Sequence, residues 1–265
     1  MKRERIEICW YAVRPVLVYL VLYITIRSIL LRLVESYLLG TSADMALYYA
    51  GWHDFMNVMI IAAASAGALI PEIRDGQREI ILLRRHRESA WINKRKDAKE
   101  LTAVLPAGTL CLSMLLNIAL TWGQTPEPMQ KVAVPMAAAV YGLLTPFTEE
   151  VLYRGILWHR LRRGFPPLYA ALLSALVFGA AHGEIRQGAY AFVMGTVFAL
   201  AYELTRQFEV PFLLHSACNL MVLASSVFGW TDYLRSPAWL LFMALCAAGT
   251  FGYWGKRLRE TKFKL

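Results

Sequence analysis

The sequence predicts an all-α fold: a polytopic membrane bundle of about eight transmembrane helices around an intramembrane polar cavity. Three observations carry this. Hydrophobic residues make up 57% of the 265 and charged ones 18%, with mean hydropathy +0.42, against roughly 45–50% and roughly 25% in a soluble domain. The apolar residues gather into runs long enough to span a bilayer. Ionisable residues interrupt those runs at a few places in the second half of the chain, and each such residue is costly in hydrocarbon unless partnered. Size, apolar content and the lack of a repeating period exclude a secreted disulfide scaffold, a disordered chain and a repeat solenoid.

The runs place spans near 15–33, 54–70, 101–122, 132–153, 167–183, 189–205, 210–229 and 237–254. Eight spans of about 20 residues use about 160 of the chain. The first run follows a basic start, Lys2-Arg3-Glu4-Arg5, without a small-residue cleavage site, and is expected to be a retained span rather than a signal peptide. Between the second and third spans, 71–100 carries nine basic and six acidic residues interleaved with Ile80-Ile81-Leu82-Leu83 and Trp91-Ile92. Such a segment suits a helix lying on the membrane surface. The chain therefore divides into N-terminal membrane helices over 1–130, with a basic cytoplasmic segment at 71–100, and site-bearing helices with a basic tail over 131–265. Cys9, Cys111, Cys218 and Cys246 lie scattered in or beside apolar runs, without a CxxC or zinc spacing, as reduced packing residues do.

The net charge of +9 does not imply a nucleic-acid partner, because cytoplasmic loops of membrane proteins concentrate Lys and Arg. With both termini cytoplasmic, the inner segments hold 23 of the 28 basic residues and the outer ones at most five, Arg27, Arg32, Lys131, Arg186 and Arg235. That asymmetry predicts an even number of spans with both ends inside. Arg27 is either buried in the first span or snorkels from it.

Three polar clusters stand out. In Pro146-Phe147-Thr148-Glu149-Glu150-Val151-Leu152-Tyr153-Arg154-Gly155, Glu150 and Arg154 share a helix face at i,i+4 and can pair. Glu149 is turned about 100° away from that partner. A carboxylate paired with arginine is a poor base, whereas one in an apolar cleft has its pKa raised toward the range useful for proton transfer. The spacing thus makes Glu150 and Arg154 the structural pair and Glu149 the working base, unless the three are an ordinary interfacial pair with a spare carboxylate. Pro146 loosens the helix there and frees carbonyls. In Phe178-Gly179-Ala180-Ala181-His182-Gly183, Phe178 and His182 share a face, and the small residues leave room for a close helix or for a ligand. In Pro211-Phe212-Leu213-Leu214-His215-Ser216-Ala217-Cys218-Asn219, His215 and Asn219 lie one turn apart and can donate hydrogen bonds to one point, as an oxyanion requires. Glu203 and Arg206 form a charged collar at the inner end. A base, an imidazole and an oxyanion-type pair are what water-driven amide cleavage needs.

Glu149-Glu150-x-x-x-Arg154, Phe178-x-x-x-His182 and His215-x-x-x-Asn219, in this order on separate spans, resemble the CPBP family. These are the CAAX prenyl endopeptidase-like, or Abi, intramembrane proteases. The stretch from Gly195 to Asn219, with Tyr202, Thr205 and Pro211 before the histidine, is similar to that family's last motif region. The resemblance covers 135–220. It implies a helical bundle with a conical cavity open toward the cytosol and cleavage near a substrate's C-terminus. On the matching positions, Glu149 and His182 would activate water, His215 and Asn219 would hold the oxyanion, and Glu150 with Arg154 would order the site. Some members are called metalloproteases. HExxH is absent here, so a metal-free glutamate mechanism with no cofactor is expected, while Glu149, His182 and His215 are able to ligate zinc.

Helix arithmetic puts Glu149 about 21 Å from the inner end of its span, with His182 at a comparable height. His215 sits only about five residues into its span, so either that span begins deeper or the site slopes toward the cytosol. The expected partners are the bilayer and a membrane-associated protein or peptide, with no nucleic acid. Candidate substrates are a prenylated CAAX protein, a secreted peptide precursor and a protein with a C-terminal sorting tail. The competing functions are a non-catalytic interaction or immunity protein of the same family and an ion- or proton-coupled transporter.

Overall fold

The computed structural model describes residues 2–39, 43–79, 97–124 and 129–260, and every regular element among them is helical. Nine helices follow in order among these residues: α1 (Lys2–Leu39), α2 (Ala43–Asp75), α3 (Asp97–Leu120), α4 (Lys131–Leu161), α5 (Pro167–Ala180), α6 (Ile185–Thr205), α7 (Glu209–Val227), α8 (Trp230–Leu234) and α9 (Pro237–Glu260).

Seven of them, all but α5 and α8, are long and apolar enough to cross a membrane. The predicted polytopic bundle is present, with two differences. The first apolar stretch is longer than expected, covering Glu4–Tyr37. The expected span at 167–183 is a helix of 14 residues, about 21 Å long, which stops at Ala180 before reaching the length a spanning helix needs. The expected surface helix at 71–100 begins as the end of α2 and ends as the start of α3, and its middle, 80–96, lies outside the described residues. Arg27 is exposed on α1 rather than buried.

The helices at the rim keep apolar faces outward: Ile6, Val21, Leu33, Leu241 and Leu245 are each 60% or more exposed. By contrast 56% of the apolar window of α6 is buried, against 11% for α1 and 17% for α9, so α6 is the central post. The α5–α6 hairpin is tight because glycine faces glycine. A Cβ on Gly179 would lie 2.6 Å from the carbonyl oxygen of Gly188. Of the two uses the sequence allowed for the small residues here, close helix approach is the one taken.

α4 is not a uniform helix. It opens with a 3-10 turn and twice widens into π-helix, over Val140–Leu144 and Val151–Leu157. In the first of these, Thr145 N–H reaches back to the Val140 carbonyl. The same register would send the next N–H to Tyr141, but position 146 is proline. Asn219 of α7 supplies the missing donor, its Nδ2 giving a 2.9 Å bond to the Tyr141 carbonyl. Past the second, His159 Nδ1 donates to the carbonyls of Arg154 and Gly155 at 2.9 and 3.0 Å, and Tyr202 of α6 lies 3.3 Å from His159 Nε2. Irregular turns of this kind recur at functional sites, and here both bracket Glu149 and Glu150.

One end of the bundle is basic and closed. Arg160, fully buried, donates to the Tyr11 carbonyl and to Asp75, and Arg163 pairs with Glu79 at 2.8 Å. Arg14 also pairs with Asp75, and Arg206 and Arg162 hold Glu203 at 2.7 and 3.4 Å, which is the charged collar expected at this end. Above that layer, Leu152, Ile156, Leu157 and Trp158 have no exposed surface and fill the space between α1, α2, α4 and α6.

Candidate active site

The described part of the bundle encloses a cavity of about 980 Å³ lined by six of its seven longest helices, all but α9, and by the end of α5 with the α5–α6 turn. Glu149, His182, His215 and Asn219 all line it. Glu150 and Arg154 lie directly behind its wall, 0% and 1% exposed. The six side chains singled out in the sequence therefore converge, although they come from α4, the α5–α6 turn and α7.

The arrangement is built around Glu150. Its Oε1 accepts from Arg154 Nη1 at 2.9 Å and from His215 Nδ1 at 2.9 Å. Arg154 carries its second nitrogen across to α6, where Nη2 donates to the Gly195 carbonyl at 2.9 Å. The guanidinium stands 5.3 Å from the centre of the Phe178 ring and 5.6 Å from that of Phe198, so a buried charge meets a carboxylate, a carbonyl and two aromatic faces. Gly195 is required at this crossing, because a Cβ there would lie 2.8 Å from the Phe178 ring.

His215 is fixed on every side. Phe198 stacks on it with centroids 4.9 Å apart, and Phe178 meets it edge-on at 5.9 Å. With Nδ1 committed to Glu150, Nε2 faces Glu149 Oε2 at 3.5 Å. Glu149 thus has a histidine neighbour that the sequence did not reveal. Its side chain is 18% exposed while that of Glu150 is 0% exposed, so the two adjacent carboxylates occupy different environments, one on the cavity and one behind it.

His182 lies in the turn after α5, beyond the Ala180 end of the helix, rather than inside a span. Its Nδ1 bonds the Phe178 carbonyl at 2.8 Å and Phe178 packs edge-on against the ring at 4.8 Å. A carbonyl can only accept, so Nδ1 carries the proton and Nε2 is left as an acceptor. Asn219 uses one amide N–H on Tyr141 and retains a second. The question of depth is settled by these contacts: His215, six residues into α7, meets both glutamates where they stand.

Several contributors were not anticipated. Phe198 shares the face of α6 below Gly195, at i,i+4 spacing, with Tyr202 of the last motif region, a pattern visible in the sequence. Tyr19, Tyr23, Tyr141, Tyr153 and Tyr190 put five phenol-bearing side chains on the cavity wall, two of them from the N-terminal helix, which carried no motif at all. At the cavity's far rim, Glu184 caps α6 by accepting from the N–H groups of Arg186 and Gln187 at 3.1 and 2.8 Å. Those bonds hold its carboxyl below the ordinary range.

Among the described residues no group of three His, Cys, Asp or Glu side chains is gathered so as to hold a metal ion, and both nitrogens of His215 face carboxylates.

A helical membrane bundle with paired carboxylates and histidines on an internal cavity is the class of protein that these features define. The region carrying them is similar to a known family: residues 131–221 match the model described as Type II CAAX prenyl endopeptidase Rce1-like, and all six side chains fall inside that stretch. The chain is similar to "Putative membrane peptidase YdiL" of Bacillus subtilis, 28% identical over 106 residues, covering 40% of this chain and 43% of the relative. It is also similar to "Membrane-embedded CAAX protease MroQ" of Staphylococcus aureus, 27% identical over 92 residues, covering 32% of this chain and 37% of the relative. The matches span about two fifths of the length of these curated relatives. No solved structure matches the chain significantly.

Proposed function

We propose that this protein is an intramembrane endopeptidase that cleaves near the C-terminus of a membrane-associated protein or peptide, without a metal. The observation that carries the reading is the division of labour between adjacent glutamates. Glu150 is held by Arg154 and His215 behind the wall, and Glu149 stands on the cavity beside His215 Nε2. The resemblance of residues 131–221 to a protease family, and the peptidase and protease names of the relatives, support it.

In this mechanism Glu149 takes a proton from water as the water oxygen forms a bond to the scissile carbonyl carbon. His182 Nε2 is a second acceptor for that proton. The carbonyl oxygen becomes an oxyanion, facing His215 in its protonated form and the second N–H of Asn219. Glu150, itself held by Arg154, fixes the orientation of the imidazole and offsets its positive charge. When the C–N bond breaks, the proton passes from Glu149 to the departing amine, and the carboxylate is restored. Both termini lie in the cytoplasm in this proposal.

The test is Glu149→Gln in the full chain, reconstituted with quenched fluorescent peptides carrying an apolar C-terminal anchor. Loss of a general base is worth about 10²–10⁴ in rate, so cleavage falls at least a hundredfold while helix content and membrane insertion are retained. Cleavage unaffected by Glu149→Gln, or pH-dependent ion flux without any cleavage, would overturn the proposal.

A further inference from the structure

The direction in which the cavity opens bears on what it takes in. On α3 the lining runs from Asn117 to Thr121 and Gln124, on α6 it begins at Arg186 and Gln187, and on α7 it reaches Ser226. Gln124, Gln187 and Ser226 are exposed. The cavity therefore opens where α3 and α7 end and α6 begins. From this rim to the reacting groups is eleven residues along α7, from Ser226 to His215, or about 17 Å. Nine residues along α6, from Arg186 to the Gly195 carbonyl that holds Arg154, make about 14 Å. In the other direction the fully buried Leu152, Ile156, Leu157 and Trp158 and the buried Arg160 with its partners lie across the bundle.

The closed end is also the basic end. Arg14, Arg160, Arg162, Arg163 and Arg206 converge there, and in the sequence the segment between α2 and α3 holds six Lys and Arg between 80 and 96. The open end carries Lys131, Arg186 and Arg235, joined at most by Arg27 and Arg32 of α1. Basic residues in short loops mark the cytoplasmic side. A cavity open to the cytosol, as the family resemblance implies, and an orientation with the basic end in the cytosol do not coexist in this geometry. The charge distribution belongs to this chain's own residues and decides between them.

We propose that the cavity opens on the extracytoplasmic face and takes as substrate an exported polypeptide whose C-terminal segment is anchored in the membrane, rather than a lipid-modified tail presented from the cytosol. This rests on the endopeptidase reading for the word substrate, while the direction of the opening stands apart from it. The wall suits such a segment. Tyr19, Tyr23, Tyr141, Tyr153 and Tyr190 share it with Leu20, Ile61 and Leu223, while Ser65, Asn117 and Thr121 put polar side chains on it for an extended backbone.

The experiment is cysteine accessibility in intact cells, using the full chain with Cys9, Cys111, Cys218 and Cys246 replaced by serine. Single variants Ser226→Cys and Gln187→Cys probe the rim, Val222→Cys one turn deeper in the cavity, and Glu209→Cys the basic end. Where the cysteine-free background inserts poorly, the same variants are scored over the labelling of the unmodified chain. A membrane-impermeant methanethiosulfonate is expected to label the rim and Val222→Cys variants from outside, and Glu209→Cys only after the membrane is opened. A bulky label on Ser226→Cys, added from outside, is expected to abolish cleavage of an exported reporter. Labelling of Glu209→Cys in intact cells with a protected rim overturns the inference, as does a Val222→Cys that stays inert from outside while Ser226→Cys is labelled. Labelling requires no hydrolysis, so an unaffected Glu149→Gln variant would sink the endopeptidase reading and leave the outward opening intact.

Discussion

Replacing Arg154 by methionine, alone and together with Glu150→Leu, separates what the buried pair does for folding from what it does for the site. The side chains are 1% and 0% exposed and meet at 2.9 Å. Removing one partner of such a pair costs about 3–5 kcal/mol, because the other is left as an uncompensated buried charge. The structure adjusts that range in both directions. His215 Nδ1 still reaches Glu150 Oε1 at 2.9 Å, which compensates part of the charge. Against this, the bond to the Gly195 carbonyl at 2.9 Å is also lost, worth about 1 kcal/mol, with the guanidinium's contact over Phe178 and Phe198, worth about 0.5–2 kcal/mol. The expected cost of Arg154→Met is about 4 kcal/mol. With Glu150→Leu added, no buried charge remains, and stability is expected to return to within about 1 kcal/mol of the parent, as when buried ion pairs are exchanged for apolar residues of similar volume.

Activity should not return with it. In the double variant His215 has lost the acceptor that fixes its Nδ1, so the imidazole is no longer held with Nε2 toward Glu149. The assay is unfolding in mixed micelles by titration with dodecyl sulfate, followed by tryptophan fluorescence, with peptide cleavage measured on the same preparations. A single variant losing less than about 1 kcal/mol, the scale of an exposed pair, would refute the buried network. A double variant that cleaves like the parent would remove Glu150 from the site altogether.

Two further outcomes follow from local geometry. Asn219→Ala leaves the Tyr141 carbonyl without its donor and should cost about 1–3 kcal/mol; in a Pro146→Ala background the restored backbone N–H serves that carbonyl, so the same change should cost about 1 kcal/mol less, a coupling measured by the double-mutant cycle in the same micelles. At the rim, the folded Glu184 carboxyl lies below its ordinary range because two N–H groups donate to it. Its cap is therefore complete at neutral pH and is lost as pH falls through that depressed value. The protection of Arg186 and Gln187 amides, measured against the intrinsic exchange rate at each pH, should fall on acidification in the parent and be low at all pH values in Glu184→Ala, and a parent protection flat with pH would refute the cap.

The bundle was legible because apolar runs of span length have few other uses, and six side chains of the site were legible because a charge inside such a run demands a partner. The failures have equally specific causes. The helix Pro167–Ala180 is shorter than the span expected at 167–183 because an apolar run records burial but not where the backbone turns, here at Ala181 to Gly183. Phe198 and the tyrosines of the wall were missed because an aromatic in an apolar run looks the same whether it faces lipid or a cavity. The π-helical turns left one trace, Pro146, and the donor answering it lies 73 residues on, a distance over which periodicity carries nothing. The asymmetry of the arginines was legible in the sequence, but only contacts such as that of Arg163 with Glu79 show that several of them gather at one end of the bundle, away from the cavity's rim.

The adjacency of Glu149 and Glu150 was read in the sequence as divergence, two carboxylates pointing about 100° apart and so given separate work. In the structure that angle is what lets both serve one ring. The two nitrogens of an imidazole lie on different edges, and a single histidine arriving from another helix can meet two carboxylates at once only if they approach from different directions. Residues at i,i+4, stacked on one face, would compete for the same nitrogen. Neighbours in sequence, turned by one residue, instead take one nitrogen each: Glu150 holds His215 Nδ1 at 2.9 Å and Glu149 faces Nε2 at 3.5 Å. The arginine one turn below Glu150 then ranks them, because only that carboxylate has a guanidinium beneath it. The spacing of three residues, Glu149, Glu150 and Arg154, thereby specifies a firmly held carboxylate, an oriented imidazole and a carboxylate on the cavity, provided that one histidine comes to meet them.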